Sequence, residues 1–313
     1  MGAALSFNAN GSFKIVQFTD LHWCGGNDND SMTAVLMERV LREESPDLAV
    51  ITGDLIESEQ CVDPQASVRQ AVAVIESAGV PWAAVFRNHD TEFGITRKEL
   101  LESLQGFRYG LTESGPETIT GVGNYVLRVA GRDGRTSHAL FFIDSGSYAA
   151  PETGGYAAIE NDQIDWFRRE SAALSEQNGG AAVPSLAFFH IPLPEYNDVW
   201  DSRFCRGSKY EEICCPRVNT GMFDAMVEAG NVIGVCVGHD HANDFCGELQ
   251  GITLCYGRKT GYNNYSKEGF ANGARVIELQ EGRSSFRTWL RLETGDCVFQ
   301  QPSHDSQGRT LQE

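Results

Sequence analysis

Five short apolar runs in this chain each lead into an Asp, Asn or His, and this repeated pattern restricts the fold more than any other feature. Residues 13–18 (FKIVQF) run into Asp20 and His22, residues 48–52 (LAVIT) into Gly53-Asp54, and residues 81–86 (PWAAVF) into Asn88-His89-Asp90. Residues 185–189 (SLAFF) stop at His190, and residues 232–237 (VIGVCV) stop at Gly238-His239-Asp240-His241. Runs of this length, rich in β-branched and aromatic residues, read as strands. Helical spacing of apolar residues fills positions 31–43, ahead of Pro46, and positions 66–78. Strand, helix, strand, helix, strand implies βαβ units and a parallel sheet, hence an α/β fold. In such sheets the side chains at the carboxyl ends of the strands converge on one crevice.

The rest of the chain extends this pattern. Residues 98–104 and 162–174 read as helices, and residues 125–129 and 139–144 as a strand pair across the turn signal at 131–134. Short strand patterns with Gly-rich turns fill 251–290. No repeat or composition break divides the 313 residues, so one domain over 1–300 with a polar, fraying tail over 301–313 is expected. No apolar run is long enough to span a membrane. A net charge of -18 argues against a nucleic-acid surface but not against an anionic substrate, because bound divalent ions can reverse the local field.

The nine cysteines include no CxxC pair, which gives no support to a thiolate zinc site. Cys246 and Cys255 allow either a disulfide across a hairpin or two buried thiols, and the redox compartment stays open. The N-terminus lacks the apolar stretch of a signal peptide, which favours a cytoplasmic over a secreted location. Met1-Gly2-Ala3-Ala4-Leu5-Ser6 fits the pattern for myristoylation of Gly2, but the motif is short and chance is the favoured reading.

Five of the seven histidines lie at strand ends, together with Asp20, Asp54 and Asn88. Oxygen and imidazole donors of this kind suit Mn, Fe or Zn. Taken singly, Asp20-Leu21-His22 is compatible with a capped turn, Gly53-Asp54 with a turn signal, and Asn88-His89-Asp90 with loop polarity. Gly238-His239-Asp240-His241 is harder to assign to packing. His138 and His304 fall outside the pattern and read as solvated.

In sequence order the segments are DxH, GD, NH[DE], a lone H and GHxH, and this set resembles the signature of the calcineurin-like metallophosphoesterases. The stretches FFHIPLPEY, VNTGMF, GHDHANDFCGEL and LCYGRKTGY are similar to its short purple-acid-phosphatase-like branch of plants, fungi and protists. The resemblance implies a four-layer α/β/β/α sandwich of two mixed sheets, the metallophosphoesterase fold. It implies that Asp20, His22 and His241 hold one metal ion and Asn88, His190 and His239 a second, with Asp54 bridging them. The implied function is dinuclear metal-dependent hydrolysis of phosphomonoesters, small molecules or phosphoproteins, by attack of a metal-bridging hydroxide. A phosphodiesterase, a nucleotide pyrophosphatase and a catalytically weak metal-binding scaffold are the alternatives.

His89 is expected to act as general acid or as a donor to the phosphoryl group. Glu57 stands where many relatives carry an Asp that orients this histidine, and its carboxylate can accept the ring N–H. An exposed loop glutamate is the plainer reading. Purple acid phosphatases proper carry a tyrosine ligand there, so its absence implies a colourless protein.

Arg87 departs from the glycine that usually precedes the Asn-His pair. It allows three readings: an outward-pointing side chain, a strained turn if the position needs positive φ, or a bidentate clamp on the substrate phosphate. Loops at 23–30, 195–215 and 258–267 are expected to shape the mouth, where Trp23, Tyr196, Trp200, Tyr262 and Tyr265 line it or pack beneath it.

Overall fold

Alternation along the first strand sets the layering, as seen in a computed structural model that describes residues 4–305. In β1 (Ser12–Phe18), Phe13 and Ile15 join one apolar cluster while Val16 and Phe18 join another. A strand buried on both faces must be covered twice, by a second sheet on one side and by helices on the other.

The elements follow in chain order: α1 (Asp28–Glu44), β2 (Leu48–Thr52), α2 (Pro64–Ser77), β3 (Trp82–Val85), α3 (Asn88–Thr91) and α4 (Arg97–Ser103). Then come β4 (Tyr125–Ala130), β5 (Thr136–Phe142), α5 (Asn161–Gln177), β6 (Ser185–Phe188), α6 (Glu195–Ser202), β7 (Cys205–Arg206), α7 (Met222–Ala229) and β8 (Val232–Val237). The chain closes with β9 (Cys246–Leu249), β10 (Ile252–Tyr256), β11 (Gly273–Gln280), β12 (Phe286–Leu292), β13 (Cys297–Val298) and β14 (Ser303–His304).

One sheet has the order β13-β12-β11-β1-β2-β3 and the other β14-β7-β9-β10-β8-β6-β5-β4. Both are mixed. β1, β2 and β3 are parallel, as are β5, β6, β8 and β10, while β11, β12, β4 and β9 pair antiparallel. Phe13, Ile15, Leu48, Val50, Phe142, Phe188 and Ile277 fill the space between the sheets. Val40 of α1 and Val72 of α2 cover the outer face of the first sheet, and Phe167 of α5 and Met226 of α7 that of the second. This is the expected four-layer α/β/β/α sandwich.

Helix starts lie earlier than apolar spacing indicates because caps set them. α1 begins at Asp28 since the Asn27 side chain accepts from Asp30 N and Asp30 caps back. In α2, Asp63 caps and Pro64 occupies the first turn.

Three expectations need correction. Ser303 and His304 do not fray; they pair with Arg206 and Cys205. His304 is buried with its ring 3.8 Å from that of Trp200. His138 is likewise buried, between Phe7 at 5.1 Å and a hydrogen bond to the Arg283 carbonyl at 3.0 Å. In both cases an aromatic neighbour covers one face of the ring, a long-range contact that local polarity does not reveal. All nine cysteines are free thiols, including Cys246 and Cys255, which face each other across β9 and β10. Gly2 lies outside the described residues, and no helix among those described is long and apolar enough to cross a membrane.

Candidate metal centre

Each of the parallel strands β1, β2, β3, β6 and β8 delivers ligand-type side chains just past its carboxyl end. Asp20, His22, Asp54, Asn88, His190, His239 and His241 are all buried there. The backbone is bent to achieve this. Asp20, His22, Asp54 and His239 have φ of 54, 47, 49 and 81°, which makes four of the seven non-glycine residues with positive φ among those described. Each such residue costs of order 1–3 kcal/mol, and strain of this kind concentrates where function holds it.

Two glycines make the close approach possible. A Cβ on Gly53, itself at φ +87°, would lie 2.5 Å from His190 Nδ1, and one on Gly238 would lie 1.9 Å from Thr19 Oγ1. The GD and GH pairs are therefore packing requirements as well as ligand motifs.

The side chains fall into two overlapping groups. Asp20, His22, Asp54 and His241 offer ligand atoms within 4.8 Å of one another, and so do Asp54, His190 and His239. Asp54 belongs to both: its Oδ2 is 3.7 Å from His22 Nε2 and 3.1 Å from His190 Nε2, the latter without the alignment of a hydrogen bond. In the first group His22 Nε2 faces His241 Nε2 at 3.1 Å. His22 Nδ1–H donates to Glu57 Oε2 at 2.8 Å and His241 Nδ1–H to the Tyr265 carbonyl at 3.4 Å, so both Nε2 atoms present lone pairs. Two lone pairs facing at that distance repel unless a cation shares them, and cis nitrogens on a metal with bonds of about 2.1 Å stand roughly 3 Å apart.

In the second group His190 Nδ1–H donates to the Thr52 carbonyl at 2.5 Å, which turns its Nε2 lone pair inward. Asn88 Nδ2 donates to Glu92 Oε1 at 3.2 Å and to the Tyr148 hydroxyl at 2.8 Å, which turns its Oδ1 inward. Asp54 Oδ1, Asn88 Oδ1, His190 Nε2 and His239 Nε2 are buried without any partner. Buried polar atoms are seldom left so, and a shared cation is the group that the Asp54, Asn88 and His190 acceptors fit.

Electrostatics agree with ligand duty. Burial alone would raise the Asp54 carboxyl, but the facing His190 and His22 rings and the Arg87 guanidinium hold it well below the usual range. Burial likewise works against ionised Asp20, yet the adjacent His241 and His190 rings bring it down to about 2. Burial lowers His22, and burial together with Arg87 lowers His239, which favours the neutral form of both imidazoles.

Glu57 is buried and reaches two histidines. Besides His22 it holds His89, whose Nδ1 is 3.2 Å from Glu57 Oε1 and 2.8 Å from Glu92 Oε2. Burial would lower His89, but Glu57, Asp54 and Glu92 push it up to about 10, so its ring carries both protons. With Nδ1 held by carboxylates, Nε2–H is the donor left for a substrate. Glu57→Gln removes the charge that fixes the His22 tautomer, and metal affinity falls about 10- to 100-fold, read by competition with a chromophoric chelator. Unchanged affinity would remove Glu57 from the orienting role.

Arg87 does not point outward, and it is not strained: its φ is -153°. Its guanidinium is fully buried, with Nη1 2.7 Å from His239 Nδ1 and its carbon 4.8 Å from the Tyr156 ring centre. Asp90, which accepts from Arg87 N at 2.8 Å and Ile56 N at 3.0 Å, ties this turn to the Asp54 loop.

Sequence reasoning missed Glu92, which lies just past the Asn88-His89-Asp90 motif, and Tyr148 and Tyr156, which reach the site from a segment with no such motif. It also missed Cys214, which lies within ligand distance of His239 and Asp240. Of the five aromatics considered for the mouth, Tyr265 stacks on His241 at 4.3 Å and stays half-exposed. Tyr196 instead lies in the core, its hydroxyl bonded to the Val235 and Cys255 carbonyls.

Known proteins resemble this chain in sequence and in fold. The sequence is 35% identical to "Probable inactive purple acid phosphatase 29" of Arabidopsis thaliana, over 92% of this chain and 84% of that protein. It is 31% identical to "Phosphatase DCR2" of Saccharomyces cerevisiae, over 90% of this chain and 54% of that one. Among solved structures, a dimetal phosphatase from Danio rerio superposes with a TM-score of 0.57 at 14% identity, covering 88% of this chain and 98% of that one. A purple acid phosphatase from yellow lupin gives 0.57 at 11% identity, covering 94% and 54%. Residues 13–243 match the family model described as calcineurin-like phosphoesterase. The chain therefore belongs to the calcineurin-like phosphoesterase family, with purple-acid-phosphatase-like relatives in plants and fungi.

Proposed function

We propose that this chain hydrolyses phosphomonoesters at a two-metal centre held by Asp20, His22, Asp54, Asn88, His190, His239 and His241. One observation carries the reading: the Asp54 carboxylate stands between the histidines of two half-sites, amid buried lone-pair atoms that no protein group satisfies. Two divalent ions there would lower the pKa of a shared water and neutralise charge on the phosphoryl oxygens.

The chain's own residues supply the rest. Glu57 and Glu92 hold protonated His89 with Nε2–H free, in place to donate to the leaving alkoxide or to a phosphoryl oxygen. Arg87 Nε and Nη2 are buried donors without a partner, which a phosphoryl oxygen entering the centre would satisfy. Thr52, through its carbonyl, and Glu57 keep His190 and His22 in the tautomers that ligation needs.

The test is turnover of an aryl phosphomonoester and an aryl phosphodiester by chelator-stripped protein, before and after addition of Mn, Fe or Zn. Metal-dependent turnover favouring the monoester is expected. Preference for the diester selects the diesterase reading, and full metal content without turnover selects a scaffold. The iron-loaded protein is expected to lack an intense visible band, since Glu57 stands where the tyrosine ligand of the coloured relatives would be; an absorption spectrum checks this.

A further inference from the structure

The four candidate histidine ligands do not share one type of support. His22, His190 and His241 each offer the nitrogen that faces away from the cluster to an acceptor: the Glu57 carboxylate, the Thr52 carbonyl and the Tyr265 carbonyl. This is the usual support of a ligating imidazole. His239 is the exception. Its Nδ1 lies 2.7 Å from Arg87 Nη1, and guanidinium has donors only.

That contact is incompatible with ordinary ligation by a neutral ring. If a cation takes His239 Nε2, the ring proton must sit on Nδ1, where it points at an Arg87 N–H. If a cation takes Nδ1 instead, it must displace the guanidinium. The remaining form, an imidazolate, requires loss of both ring protons. Arg87 cannot readily swing aside either. It is fully buried and lies against Tyr156, whose ring stands edge-on to His239 at 4.4 Å. A fixed positive charge at this place also opposes a second cation directly. The cations near the first half-site are already engaged: Lys259 gives its ammonium to the Asn264 and Tyr265 carbonyls, and protonated His89, beside His22, is paired with the Glu57 and Glu92 carboxylates.

We propose that Arg87 makes the two half-sites unequal, so that the Asp20–His22–His241 half fills first and the Asn88–His190–His239 half takes its ion only by breaking the Arg87–His239 contact. This rests on the two-metal reading above. The separation expected is about 10- to 100-fold in Kd, the range over which the partner of a ligating histidine moves affinity.

Calorimetric titration of chelator-stripped full-length protein with Mn(II) tests it, with bound metal counted after desalting. Wild type is expected to fill in two resolved steps, with one ion per chain surviving desalting. In Arg87→Gly the second step tightens and merges with the first, and two ions survive. Arg87→Met, which keeps the buried stem beside Tyr156 and removes the donors and the charge, is expected to behave as Arg87→Gly; circular dichroism verifies that both variants are folded. Two ions binding wild type with matched affinity overturns the proposal without any variant. Resolved steps that persist unchanged in the folded variant overturn the assignment to Arg87. Wild type that takes up no ion at all overturns the metal-centre reading itself, a failure distinct from either of these.

Discussion

Asp54→Asn is expected to lower kcat/KM for an aryl phosphomonoester by on the order of 10³-fold or more, because it weakens both half-sites at once. The Asp54 carboxylate approaches a histidine from each half, at 3.7 and 3.1 Å. Its Oδ1 has no protein partner. Asparagine keeps the shape, removes the negative charge and turns an N–H pair toward lone pairs that need a cation. Stability should fall as well, even when metal is absent. His190, His22 and Arg87 hold the Asp54 carboxyl well below its usual range, so its charge stabilises the metal-free fold, and the stripped variant should melt below stripped wild type. Metal should then stabilise wild type by about 2.7 kcal/mol at a hundredfold excess over Kd, several degrees in Tm, and the variant by far less. Retention of more than a tenth of wild-type turnover would sink the bridging assignment.

The strand ends were legible in the sequence because the apolar runs before Asp20, Asp54, Asn88, His190 and His239 are short and uniform. A strand buried on both faces has no surface position at which to place a polar residue, so polarity resumes abruptly at its end. The parallel strands followed from βαβ order, and the four layers from the family resemblance. What stayed hidden was long-range. Tyr148 and Glu92 meet at Asn88 although 56 residues separate them, and neither carries a local pattern. Position 87 announced itself as unusual, since arginine stands where a tight turn is expected, but the extended φ removes the strain reading and only tertiary structure shows the guanidinium beside His239. Glu57 was readable as a partner of His89; its hydrogen bond to His22 depends on how the β1 and β2 loops lie together. His138 and His304 mark the opposite failure, where polar local sequence concealed burial under an aromatic ring.

Gly53→Ala separates the contact from the backbone in the effect of one methyl group. The new Cβ would lie 2.5 Å from His190 Nδ1 and 2.7 Å from Cγ, so the imidazole must leave the Thr52 carbonyl that fixes its tautomer. The backbone at φ +87° adds a cost of about 1–2 kcal/mol for an L-residue, and overpacking adds about 1–3 kcal/mol. Total destabilisation of about 2–5 kcal/mol is therefore expected, with kcat/KM lower by about 10²-fold as His190 is misaimed. Gly251→Ala supplies the comparison. Gly251 has nearly the same φ, +83°, and its Cβ would meet nothing within 4 Å. It should cost only the backbone part, about 1–2 kcal/mol, and leave turnover unchanged. Urea unfolding of both variants together with aryl phosphate turnover measures the difference. Equal losses of stability with full activity in both would mean that His190 adjusts without consequence, and that the GD pair serves the turn rather than the metal centre.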